Sequence, residues 1–125
     1  MLIPSPYYAA FENDMKIVAE CVPVKVPMEK PSLGPTVDDL ERSFQRTTEL
    51  GNTPKILLLT NPNNPLGTIY SPETMMRTIE WARGHGIHII VDEIYGLSVH
   101  DVSGIIFIVT THKILGQTKC VFFCV

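Results

Sequence analysis

Cysteine is scarce and unevenly placed in this chain: Cys21, Cys120 and Cys124 are three in number and share no regular spacing. An odd, irregular set excludes a disulfide framework and fits a reducing compartment. Cys120 and Cys124, with His112 nearby, lack the short paired spacing of structural zinc sites, so no metal is expected. Basic charge is also short. Ten Lys and Arg against thirteen Asp and Glu leave a net charge of −3, which removes nucleic acid and anionic membranes from the expected partners. No apolar run approaches the roughly 18 residues of a membrane span. The opening MLIPSPYYAAFENDM has neither the basic start nor the sustained apolar stretch of a signal peptide. Together these absences imply a cytoplasmic protein. Repeats and low-complexity segments are missing too.

What remains is 125 residues with 45 % hydrophobic content, enough for the core of one domain. The chain is organised around two stretches, LLLTNPNNPLG from Leu57 and IHIIVDEIY from Ile87. Each is an apolar run that ends abruptly in polar residues. The periodicity predicts strands over 55–60 and 87–91 with a helix over 71–83 between them, the layout of a βαβ unit with parallel strands. Ser71 is the expected N-cap, Pro72 takes the first helical position, and Met75, Met76, Ile79 and Ala82 form the inner face. A second helix is expected over 36–50, with Thr36 and Asp39 in a capping-box relation and Val37, Leu40 and Phe44 as its apolar stripe.

Upstream, Leu2 and Ile3 read as the tail of a strand cut by Pro4 and Pro6. A short helix over 7–13 and a strand region over 17–26 follow, with Pro23 marking an edge or a break. Residues 104–109 are strand-like, and 110–125 have no clear period. The map is an α/β three-layer structure with a mostly parallel sheet flanked by helices.

Asp92 ends a buried apolar strand, at the edge where open α/β sheets bind ligands. A carboxylate there needs a partner, because unpaired buried charge is costly. A pyridinium N–H would serve. Tyr95 and Asn64 can bring a hydroxyl and an amide to the same ligand, and the three suit a flat heteroaromatic ring with a ring nitrogen at one edge and a phenolic oxygen at another. The alternative is purely structural: Asn64 stabilises its own Pro-rich loop and Asp92 caps a turn. Tyr7 and Tyr8, after the first strand end, are either half-buried packing residues or a stacking surface.

The segments PSPYYAAF, LLLTNPNNPLGTIYSPE and IHIIVDEIYGLSVH closely resemble the class I/II aminotransferase family of pyridoxal-phosphate enzymes, above all the subgroup of 1-aminocyclopropane-1-carboxylate synthases and their relatives. The resemblance covers roughly residues 2–100. It implies a partial pyridoxal-phosphate-binding large domain over 1–100, followed by a divergent tail over 101–125. It also implies pyridoxal 5′-phosphate as cofactor, an amino-acid substrate, and a homodimeric parent that is a transaminase or an aminocyclopropane-carboxylate-synthase-like lyase. On the same basis, Asn64 and Tyr95 would bond the cofactor's O3′, Asp92 would pair with its pyridine nitrogen, and Tyr8, with Tyr7 as the alternative, would stack on the ring.

The sequence starts after the family's phosphate-holding loop. The family's cofactor-binding lysine has its nearest candidate in Lys113, within TTHKILG, 21 residues after Asp92 and without the flanking serines. The resemblance therefore implies a segment incomplete for catalysis. The rival expectation is a non-catalytic truncated relative that acts as a binding or interaction protein.

Overall fold

The computed structural model describes residues 1–99 and 120–123. Five strands form one sheet among the described residues: β1 (Leu2–Ser5), β2 (Val24–Pro27), β3 (Ile56–Thr60), β4 (His88–Asp92) and β5 (Cys120–Phe123). Their order is β2-β1-β3-β4-β5, and every neighbouring pair is parallel. Three α-helices connect them: α1 (Ala10–Ile17), α2 (Val37–Glu49) and α3 (Pro72–Gly84). The expected βαβ unit is present, with β3 and β4 paired in parallel from Ile56↔His88 to Thr60↔Asp92.

Register decides which face is core. Leu57 pairs with Ile89, and Leu59 with Val91; all four join Leu2, Leu40, Met75, Ile79, Trp81 and Ala82 in one buried cluster. Full burial of a side chain of this size contributes roughly 2 kcal/mol. Because side chains alternate along a strand, Leu58, Thr60, Ile90 and Asp92 project from the opposite face. Right-handed crossovers place α2 and α3 on the core face and α1 on the other.

The N-terminus of α2 follows the sequence expectation. Thr36 Oγ1 accepts from the Asp39 N–H, and Asp39 Oδ2 accepts from the Thr36 N–H, both at 3.1 Å. Gly51, at φ +81°, lets the chain turn away after the helix. The expected stripe needs correction, since Val37 remains 39 % exposed. Leu40 and Phe44 do pack at the core, and Ser43 and Thr47 share the inward side, Thr47 donating its hydroxyl to the Ser43 carbonyl at 2.6 Å. Hydroxyls satisfied by the backbone of their own helix can be buried like apolar groups.

The strand region expected over 17–26 is a second correction. Ile17 closes α1 and is 78 % exposed, and only Val24–Pro27 is extended and paired. Pro23 lacks the N–H a ladder needs, so pairing starts just after it, and β2 lies at the edge of the described sheet. Residues 104–109 lie outside the described residues. Cys120–Phe123 is a strand that periodicity did not reveal; four residues are too few for a period to register. Among the described residues, no helix is long and apolar enough to cross a membrane.

Topology fixes where a ligand can enter. The chain leaves β1 towards β2 on one side and leaves β3 towards β4 on the other. The direction of winding thus reverses between β1 and β3, and their carboxyl ends bracket a switch-point crevice.

Candidate functional site

The loop after β3 is built from asparagine side chains that replace missing backbone partners. Pro62 and Pro65 carry no N–H, so the loop cannot organise itself by backbone bonds alone. Asn61 ties the strand ends together: its N–H donates to the Asp92 carbonyl at 3.0 Å, and its Oδ1 accepts from the Tyr70 N–H at 2.9 Å. Asn63 Oδ1 accepts from the Leu66 N–H at 3.1 Å, while its Nδ2 donates to the Tyr70 phenol oxygen at 2.9 Å. Gly67, at φ +65°, closes the turn, its N–H donating to the Asn63 carbonyl at 2.8 Å.

Asn64 is then left to face outward. Its Nδ2 donates to the Tyr95 hydroxyl at 3.1 Å, across 31 residues of sequence. The two flank a cleft of about 500 Å³ walled by Pro62, Pro65, Ile69 and Val99. Tyr95 is held by a tight turn after β4, in which the Gly96 N–H donates to the Glu93 carbonyl at 2.7 Å.

Asp92 and Tyr8 do not line that cleft. Asp92 is half-buried at the end of β4, and its Oδ1 accepts from the Ile94 N–H at 3.1 Å, which caps the turn. Tyr8 follows β1 and is 49 % exposed, set edge-on to Phe11 at 5.6 Å. Tyr7 is engaged elsewhere: its hydroxyl donates to Glu12 Oε1 at 2.8 Å, and the Lys25 ammonium lies 5.8 Å from its ring centre. Burial, and then the Glu12 carboxylate, push the Tyr7 phenol up to about 12. Lys113 lies outside the described residues.

Thus the structure brings Asn64 and Tyr95 into contact, and leaves Asp92 at the end of β4 and Tyr8 after β1, with β3 between those two strands. Sequence reasoning missed Asn61, Asn63 and Tyr70. Asn63 carried a signal, since an asparagine just before a turn bonds its own backbone two or three residues on.

The family described as "Aminotransferase class I and II" matches residues 1–117. The chain belongs to that family. A human protein named "Probable inactive 1-aminocyclopropane-1-carboxylate synthase-like protein 2" is 38 % identical over 123 residues, covering 93 % of this chain and 21 % of the relative. The 1-aminocyclopropane-1-carboxylate synthase 2 of Arabidopsis thaliana is 39 % identical over 100 residues, covering 78 % and 20 %. This chain therefore spans about a fifth of the length of the curated relatives it matches. Among solved structures, aspartate aminotransferase from Thermus thermophilus with maleate superposes with a TM-score of 0.64 at 27 % identity, covering 80 % of this chain and 25 % of that one. Another similar structure carries the words "PLP-bound C-S lyase" from Staphylococcus hominis, with a TM-score of 0.59 at 24 % identity, covering 74 % and 23 %.

Proposed function

We propose that this chain is the pyridoxal 5′-phosphate-binding segment of an amino-acid-transforming enzyme of the aminotransferase or aminocyclopropane-carboxylate-synthase type. The observation that carries the reading is the Asn64–Tyr95 contact, two polar side chains from separate loops meeting at 3.1 Å beside a cleft at the sheet's carboxyl edge. The donor chemistry fits the cofactor. A side-chain amide and a phenol side by side suit a phenolate oxygen, and a strand-end carboxylate suits a pyridinium N–H.

In this reading Asn64 and Tyr95 hold the O3′ oxygen and set the tilt of the ring. Asp92 keeps the proton on the pyridine nitrogen, because a carboxylate beside a cation favours the charged form. Tyr8 covers one face of the ring and excludes water from it. The bound cofactor supplies an electron sink for bond cleavage in an amino acid, and the protein supplies orientation and electrostatics. The parent acts in the cytoplasm as a homodimer.

Binding is tested with 4′-deoxypyridoxine 5′-phosphate, which keeps the ring, O3′ and phosphate but has no aldehyde to react with surface lysines. Fluorescence titration of the purified chain should show saturable binding that Asn64→Ala weakens about five- to tenfold, the size of one hydrogen bond. Binding that is equal in the variant and the unaltered chain would refute the assignment.

A second reading, a non-catalytic binding relative, is favoured by the poor context of Lys113 in TTHKILG. Covalent capture of the cofactor needs a poised amine. Turnover by this chain should accordingly be absent or very low, and Lys113→Ala should leave the visible spectrum of the chain mixed with pyridoxal phosphate unchanged. A strong specific band lost in that variant would instead identify Lys113 as the catalytic lysine.

A further inference from the structure

Tyr70 is the largest fully buried side chain among the described residues, at 1 % exposure, yet it belongs to no helix or strand. The cofactor reading gives it no task. Its N–H and its phenol oxygen are gripped by the Asn-Pro loop, the N–H by Asn61 and the phenol oxygen by Asn63, each at 2.9 Å. Its ring is backed by Gly34, where an added Cβ would stand 2.7 Å from Tyr70 Cδ1. Only glycine lets the chain pass that close, and at φ +87° it is also the residue the backbone prefers there.

Asn63 uses all four of its polar groups. Its N–H donates to the Thr68 carbonyl at 2.8 Å and its carbonyl accepts from the Gly67 N–H at 2.8 Å. Its side chain joins Leu66 and Tyr70. Asn64 is the next residue, and the one side-chain bond it makes among the described residues is the one to Tyr95. A buried aromatic anchor, a fully bonded asparagine and an outward-facing amide therefore follow one another along a rigid path.

We propose that Tyr70 is a positioning residue that acts through Asn63 to hold the Asn64 amide against Tyr95. The consequence for the cofactor rests on the reading above; the mechanical link does not. Site groups must be held within roughly 0.5 Å and 10–20° to work. Adjacent residues share a peptide plane, so freeing the Asn63 side chain lets the Asn64 amide swing beyond that tolerance. Removal of the Tyr70 hydroxyl leaves a buried Asn63 donor without its acceptor, which pushes Asn63 to turn and seek another.

The test uses the full chain with ¹⁵N-labelled asparagine. The unaltered chain should give a cross-peak between the Asn64 side-chain amide and the Tyr95 ring. In Tyr70→Phe that cross-peak should fall at least threefold at a temperature where circular dichroism shows the chain fully folded. Affinity for 4′-deoxypyridoxine 5′-phosphate should fall three- to tenfold, towards that of Asn64→Ala. A lowered melting midpoint with the cross-peak intact would make Tyr70 an ordinary core residue and overturn the proposal. If Tyr70→Phe does not fold, Asn63→Ser withdraws the same bond from the other side and is read the same way. Failure of the unaltered chain to bind the probe would count against the cofactor reading, while the cross-peak still decides the positioning role.

Discussion

Three asparagines in the stretch 61–64 meet two different fates, and the difference is where their side-chain partners lie. Asn61 and Asn63 are buried and bonded within their own loop; Asn64 reaches Tyr95. The residue types alone could not make this distinction. Asn64 was legible because the resemblance singled out its place in the motif, whereas Asn61 and Asn63 depend on Tyr70, whose burial no local period announces. Asp92 presents a sharper test than any of them, since its carboxylate already caps a turn. Asp92→Asn keeps an oxygen for the Ile94 N–H and removes the charge. It should leave the melting midpoint nearly unchanged and weaken binding of the deoxypyridoxine probe tenfold or more, measured by titration at neutral pH.

Tyr70 also predicts behaviour in alkali. Burial pushes its phenol up to about 12, against the opposing pull of the Asn63 donor. The folded state therefore keeps this proton at pH values where the unfolded state, titrating near 10, has lost it. The contribution is complete below about pH 10 and disappears as pH rises towards 12, by up to roughly 2–3 kcal/mol. Urea midpoints measured across that range should fall steeply in the unaltered chain and less steeply in Tyr70→Phe. Tyr7 shifts the same way but is partly solvated, so its share is smaller.

At the scale of elements, the helices were read most completely because their signals are local. Ser71 accepts from the Thr74 N–H at 3.1 Å, as its position before Pro72 suggested. Thr36→Ala removes half of a capping box and should cost about 1 kcal/mol, read as a lowered urea midpoint. What the sequence could not convey is how α2 meets α3. The Trp81 indole N–H donates to Glu41 Oε2 at 2.7 Å, and His85 Nε2 stands 3.1 Å from the same oxygen, with Phe44 edge-on to both rings. Those partners lie 40 and 44 residues apart, beyond any helical period. The Trp81 hydrogen bond, more than any other contact, holds the Glu41 carboxyl below its ordinary range. A depressed carboxyl stabilises the fold above its unfolded titration and loses that contribution as pH falls through its folded value. Acidification should loosen the α2–α3 junction, and Glu41→Gln should flatten the acid limb of a stability–pH curve. The short strands were legible only in part: β3 and β4 carry continuous apolar runs, whereas β2 is an edge strand trimmed by Pro23 and Pro27 to four residues.

Across the whole molecule, the sheet order was implied by few local cues, since β1 sits beside β3 although α1, β2 and α2 intervene in sequence. Leu57, fully buried, is paired on both sides, with Leu2 and with Ile89. Leu57→Ala should therefore destabilise the chain by about 2–5 kcal/mol in urea titration, the range for a core leucine that leaves a cavity.

The β1–β3 pairing has a consequence in time. Leu2 and Leu57 are 55 residues apart, so their strands meet only after a large loop has closed, and the β4 end must then be added beside β3. Pairings of such separation form slowly, because the entropy of closure is lost before the contacts are gained. A crevice between strand ends of this kind does not exist in any half-formed intermediate that lacks the β1–β3 ladder. Any molecule that lodges there selects the completed sheet. At a free concentration of 100 times its dissociation constant it would deepen the folded basin by about 2.7 kcal/mol. A newly made chain that finds its ligand is thus withdrawn from the pool still open to proteolysis.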